Sequence, residues 1–205
     1  MTTIRGAAAA ITGAASGIGR ALALELAARG CDLALADRDE AGLQAVASEI
    51  GRDAGRKVSV HRVDVGEPGQ IRDFASAATS AHPGLNIVIN NAGVALLGQF
   101  SEIDQAQMDW LFNINFWGTV HATRAFLPHL SRRPAAHIVN LSSIFGIVAP
   151  PGQTAYCAAK ANALVCSTAA RPSIAAQICG TIPSVQPNAA AMLARDPRVS
   201  ATASV

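Results

Sequence analysis

The chain has 205 residues, a hydrophobic share of 50%, a mean hydropathy of +0.28 and a formal net charge of +2. That length and apolar content suit one compact domain with a large core, although much of the apolar share is small alanine. So small a charge, with basic residues scattered apart from Arg132 and Arg133, excludes a nucleic-acid-binding surface. Cys31, Cys157, Cys166 and Cys179 show no CxxC spacing and read as reduced intracellular thiols. The five histidines are dispersed without a ligand-pair motif, so no metal site is expected. The start Arg5-AAAAITGAA imitates a signal peptide but is interrupted by Thr12 and Gly13, and no apolar run approaches the ~20 residues of a membrane span. A soluble, cytoplasmic protein with no membrane partner is the expectation.

In chain order, the apolar run Ala7 to Ile11 breaks into TGAASGIG and then into the helix-prone RALALELAAR, which predicts strand, turn and helix. Gly13 and Gly17 suit left-handed or close-approach backbone, and Gly19 lets the helix lie against its strand. Ser16 is a candidate helix cap. The free N–H groups of the first helical turn, Gly17, Ile18 and Gly19, together with the helix dipole, form a site for a pyrophosphate. A tight structural turn explains an isolated motif equally well. Asp37, ending the next apolar run (Asp32 to Ala36) about 20 residues on, supplies the carboxylate that a dinucleotide's ribose requires.

The alternation continues. Glu40 to Ile50 has helical spacing, KVSVHRVDV has strand alternation up to Asp64, Pro68 opens a helix to about Ala81, and LNIVIN is a buried strand followed by NNAG. Ser101 with Asp104 resembles a capping box opening a long helix to about Leu130, and AAHIVNLSS is a fifth strand. Gln153 or Thr154 starts another helix, which Pro172 should stop. The order implies an α/β fold: a doubly wound, Rossmann-like parallel sheet covered by helices on both faces. The phosphate turn, Asp37, Asp64, Asn90 to Gly93 and Ser142-Ser143 all follow carboxyl ends of strands, the ligand-binding edge of such sheets.

Tyr156 and Lys160 lie four apart in AYCAAKA and so share a helix face, where a lysine cation favours the phenolate. A tyrosine titrates near ~10, and acid–base work at neutral pH needs such help. Taken alone, this spacing describes many ordinary helix pairs. Ser143, thirteen residues upstream at a strand tip, adds a second polar group. Asn115 shares a stripe with Leu111, Gly118 and Ala122, so its amide points to the core and needs partners, whether as a structural residue or as part of a proton relay.

TGAASGIG, NNAG, the asparagine of NINFWG, Ser143 and YCAAK, in this order and at these intervals, resemble the short-chain dehydrogenase/reductase family over about Ala7 to Lys160. The resemblance implies hydride transfer between a nicotinamide cofactor and an alcohol or carbonyl substrate. It implies Tyr156 as acid/base, Lys160 lowering the tyrosine pKa and holding the nicotinamide ribose, Ser143 bonding the substrate oxygen and Asn115 supporting the relay. It adds Asn91, Ala92 and Gly93 to the cofactor pocket and gives Asp64 an adenine-side contact, with helix capping an equally simple role. Asp37 would accept from a free ribose 2′-hydroxyl and repel a 2′-phosphate, which favours NAD over NADP, although Arg38 follows it. Relatives often associate through the helices carrying Asn115 and Tyr156, which leaves a homo-oligomer open.

After Lys160 the family pattern fades. The sequence divides into a dinucleotide-binding domain, 1–172, and an atypical tail, 173–205, in which Gln177 to Pro183 reads as a degenerate sixth strand and no seventh follows. A truncated or frame-altered terminus would produce this pattern. The fifth strand is then expected to be left as a sheet edge. Two further readings follow: a catalytically impaired dinucleotide-binding module, and an interaction subunit that uses the open edge.

Overall fold

The computed structural model describes residues 4–165 and 174–179. Its parallel sheet has the order β3-β2-β1-β4-β5-β6, formed by β1 (Ala8–Thr12), β2 (Asp32–Asp37), β3 (Val58–Arg62), β4 (Leu85–Asn90), β5 (Ala136–Leu141) and β6 (Ile174–Cys179). This is the Rossmann order, and it reverses direction between β1 and β4, where a crevice opens at the carboxyl ends of the strands. The helices are α1 (Gly17–Ala28), α2 (Glu40–Asp53), α3 (Pro68–Ala81), α4 (Gln105–Phe112), α5 (Gly118–Leu130) and α6 (Thr154–Val165).

Alternation along β1 divides the core in two. Ala7, Ala9 and Ile11 face a cluster with Ala23 and Ala27 of α1 and Leu43, Val46 and Ile50 of α2. Ala8 and Ala10 face the other side, against Phe74 of α3 and Phe126 of α5. Alanine is a poor strand former, but at buried central positions it leaves room for bulky helix residues. The space is taken by Phe74 and Phe126, which meet edge to face at 5.4 Å between centroids.

Two expectations need correction. The fifth strand is not an edge: β5 pairs with β4 on one side and with β6 on the other, from Ala136↔Ile174 to Leu141↔Cys179. The open edge on which the interaction-subunit reading relied is therefore covered, by a strand that begins three residues earlier than Gln177. The long helix from Ser101 is also interrupted. Its cap is Asp104, which accepts from Gln107 N–H in a reciprocal capping box, and residues Asn113–Trp117 form a π-helical turn between α4 and α5. Pro172 and the tail from residue 180 lie outside the described residues. Among the described residues no helix is long and apolar enough to cross a membrane.

The histidines are less dispersed than their spacing implies. The Nε2 atoms of His61 and His82 lie 2.8 and 2.9 Å from the Ser59 hydroxyl. Burial pushes both imidazoles below their ordinary pKa, and burial does the same to His129. A histidine with a depressed folded pKa takes up its proton more readily in the unfolded chain. Stability is therefore expected to be full above about pH 6.5 and to fall as the pH drops below it. Urea midpoints at pH 8 and pH 5.5 check this, with the lower midpoint at pH 5.5. Replacing both His61 and His82 with glutamine should flatten the difference.

Candidate active site

The turn from β1 to α1 occupies the crevice. Gly13 and Gly17 have φ of +68° and +54°, conformations that side chains resist. A Cβ at Gly13 would lie 2.8 Å from Ala92 Cα, and one at Gly19 would collide with the Gly13 carbonyl oxygen. Ser16 stands at the helix cap position with extended backbone, but its side chain makes no capping bond. Asp37 closes the far side: one carboxylate oxygen accepts from Ala15 N–H at 3.1 Å and the other from Asp39 N–H at 3.1 Å. The turn and the end of β2 are thus one unit.

Asn91 and Ala92 are fastened to the same turn. The Asn91 amide donates to the carbonyls of Thr12 and Gly13, each at 3.0 Å, and the backbone N–H groups of Asn91 and Ala92 both donate to Thr12 Oγ1 at 3.1 Å. Thr12 is a residue that sequence reasoning missed, because a polar residue ending a strand carries no signal of a partner 79 residues away. Asp64 is placed differently from the rest. Its carboxylate accepts from Gly66 N–H at 2.9 Å in the loop entering α3, beside a groove of about 1100 Å³ lined by Arg38, His61 and Arg62. That contact lies within the loop and does not cap α3, whose N-cap position is Glu67, and Asp64 itself lines the groove.

Beyond Gly93 the remaining candidates converge. Asn115 sits in the π-helical turn with 1% of its surface exposed, donating to Val94 C=O and accepting from Val94 N–H, both at 2.8 Å. A Cβ at Gly93 would lie 3.0 Å from Asn115 Oδ1 and 3.2 Å from Lys160 Nζ, so both side chains reach towards this glycine and crowd any larger residue there. Lys160 donates to Leu141 C=O at 3.2 Å, and its Nζ lies 5.8 Å from the centre of the Tyr156 ring. Ser143 follows β5, its hydroxyl accepts from Phe145 N–H at 3.2 Å, and it lies near enough to the Tyr156 phenol to exert a lowering influence on its pKa. π-Helical turns occur often at functional sites, and periodicity alone does not reveal one.

The family profile described as short chain dehydrogenase matches residues 7–187. The chain belongs to this family. It is 42% identical to SadH of Mycobacterium tuberculosis over 160 residues, covering 78% of this chain and 58% of SadH. A short-chain dehydrogenase/reductase from Burkholderia phymatum, solved with NAD, superposes with a TM-score of 0.83 at 34% identity, covering 88% of this chain and 66% of that one. An alcohol dehydrogenase from the archaeon Thermococcus sibiricus, solved with 5-hydroxy-NADP, superposes with a TM-score of 0.79 at 25% identity, covering 85% and 76%. The chain thus spans less than two thirds of SadH, and the two neighbours carry different dinucleotides.

In this member of the family, electrostatics at the YxxxK pair depart from expectation. Burial pushes the Tyr156 phenol above its ordinary value, against the lowering influence of Ser143. Lys160, 6% exposed, is pushed down to about 8 by burial. Burial thus moves the two groups in opposite directions, the tyrosine up and the lysine down, contrary to the expected lowering of the tyrosine.

Proposed function

We propose that the chain is an NAD(H)-dependent oxidoreductase interconverting an alcohol and a carbonyl compound. The observation that carries this reading is the convergence of Ser143, Tyr156, Lys160 and Asn115 beside the glycine turn. The residues present fit a nicotinamide dinucleotide: Gly13 and Gly19 leave no room for a Cβ, which keeps backbone N–H groups of Gly17, Ile18 and Gly19 available to phosphate. Asp37 would accept from the adenosine ribose, with Asn91, Ala92 and Gly93 forming the wall and Ser16 the lip. A nicotinamide bound there supplies or takes up the hydride.

The chain's own residues do the proton chemistry. Tyr156, protonated at neutral pH, gives its proton to the carbonyl oxygen as negative charge develops there, and takes it back in the reverse direction. Ser143 Oγ holds the same oxygen. Lys160 replenishes the phenol and holds the nicotinamide ribose. Asn115, locked by Val94, supports the lysine side of that path.

The substrate body is uncharged in this reading. No Asp, Glu, Lys, Arg or His occurs between residues 91 and 101 or between 138 and 159, the segments that carry the site. Their loops are joined by Gly98 N–H donating to Gly152 C=O at 3.1 Å and present Ile144, Ile147 and Val148 to solvent at 48, 75 and 54% exposure. Within these segments a carboxylated substrate would meet no cation to offset its lost hydration.

Cofactor choice is tested at Asp37. Asp37→Asn keeps an oxygen for Ala15 N–H and removes the charge. In fluorescence titrations it should weaken NADH about tenfold, as expected for loss of a charge-assisted bond, and narrow the gap to NADPH. Unchanged affinities for both would remove Asp37 from the ribose site.

A further inference from the structure

The residue before Ser143 has a bond of its own that the proposed mechanism leaves unused. Ser142 Oγ donates to the backbone carbonyl of Lys160 at 2.9 Å, while Lys160 Nζ donates back to the carbonyl of Leu141 at 3.2 Å. The side chain of Ser142 thus holds the backbone of Lys160, and the side chain of Lys160 holds the backbone of Leu141, the residue before Ser142. This pair of bonds bridges the end of β5 to the middle of α6, between Ser143 on one segment and Tyr156 on the other. Gly146 seals it from outside: a Cβ there would lie 3.0 Å from both Lys160 O and Ser142 Oγ.

From this geometry we infer that Ser142 is a positioning residue, which sets the height of α6 against β5 and thereby the placement of the Lys160 ammonium and the Tyr156 hydroxyl relative to Ser143. A side-chain donor to a mid-helix carbonyl is well suited to this. A helical carbonyl already accepts one N–H along the axis and has a second lone pair for a lateral bond. The donor fixes the helix both along its axis and in rotation, which apolar packing alone does loosely. The smallness of the neighbouring residues adds to the demand, since Ala155 and Ala159 on the inner face of α6 are fully buried but offer little shape to lock the helix in place. Ser142 itself touches no reacting atom, and its influence passes through Lys160 and Ser143.

The inference rests on the functional reading above, so its test includes a readout that does not need turnover. Lysine occurs only at 57 and 160, and selective labelling with ¹³Cε-lysine therefore gives two side-chain resonances. Ser142→Ala should move the Lys160 resonance and leave Lys57 in place. In steady-state assays with NADH and a neutral ketone it should lower kcat on the order of ten- to a hundredfold, the penalty for sub-ångström to ångström misplacement, with KM and NADH affinity within about twofold. Ser142→Thr, which keeps the hydroxyl, should recover most of the rate. Gly146→Ala pushes on the same bond from outside and should reproduce the pattern if Ser142→Ala fails to fold. An unmoved Lys160 resonance in the folded variants overturns the inference, as does an unchanged kcat in an active enzyme. Absence of turnover in the unaltered protein would instead count against the functional reading, and the lysine resonances would still decide the role of Ser142.

Discussion

Tyr156→Phe is expected to reduce turnover by on the order of 10²–10⁴, the usual contribution of a positioned acid or base, while NADH binding changes little. The substitution removes one oxygen and keeps the ring, whose edge packs against Phe145 with centroids 6.4 Å apart. The chain has one tyrosine, so no second phenol can take over its proton step. The pH dependence follows from the same environment. Because burial holds the phenol above its ordinary value of 10.0, carbonyl reduction should keep its acid through neutral and mildly alkaline pH, and alcohol oxidation should speed up as the pH rises. Initial rates in both directions, with a parallel fluorescence titration of NADH, check both parts. Turnover retained in the variant would remove Tyr156 from the proton step.

The second large effect is expected at Gly19→Val. A Cβ there strikes the Gly13 carbonyl oxygen and lies 2.5 Å from Asn91 Nδ2, the atom that fastens the NNAG segment to the turn. Neither neighbour is the free end of a long side chain, so α1 must move away from β1 or the turn must open. Overpacking of this kind costs about 1–3 kcal/mol of stability. The N–H groups proposed for phosphate lie on the displaced segment, so dinucleotide affinity should fall on the order of a hundredfold. Thermal melts with and without NADH separate the two effects: the variant should melt lower and gain little from the cofactor. A cofactor-induced shift equal to that of the unaltered chain would contradict the role given to the turn.

Much of this arrangement is legible in the sequence because it is local. The phosphate turn declares itself through three glycines at fixed offsets, and two of them take positive φ. Each strand announces itself by an apolar run, and the polar motifs at the strand ends locate the binding edge. What stays hidden depends on distant partners or on competing energies. Thr12 looks like an ordinary strand residue until Asn91 and Ala92 reach it. The stripe through Leu111, Asn115 and Ala122 correctly turns the asparagine inward, but a π-helical turn disturbs that periodicity too little to be read. The tyrosine–lysine spacing is visible, whereas the burial that raises the tyrosine and lowers the lysine requires the packed site. Likewise the sixth strand, read in the sequence only from Gln177 onward, runs from Ile174 to Cys179 along β5.

The central claim is that this site passes a hydride directly between a nicotinamide and a carbonyl carbon. A single-turnover reaction with NADH carrying deuterium at C4 of the nicotinamide, on both faces, and a neutral ketone such as 2-octanone tests it most directly. Mass spectrometry should find one deuterium on the carbinol carbon of 2-octanol, retained in ordinary water, and Tyr156→Phe should abolish the product. Carbinol formed without deuterium, or no carbinol despite tight NADH binding, would contradict the account.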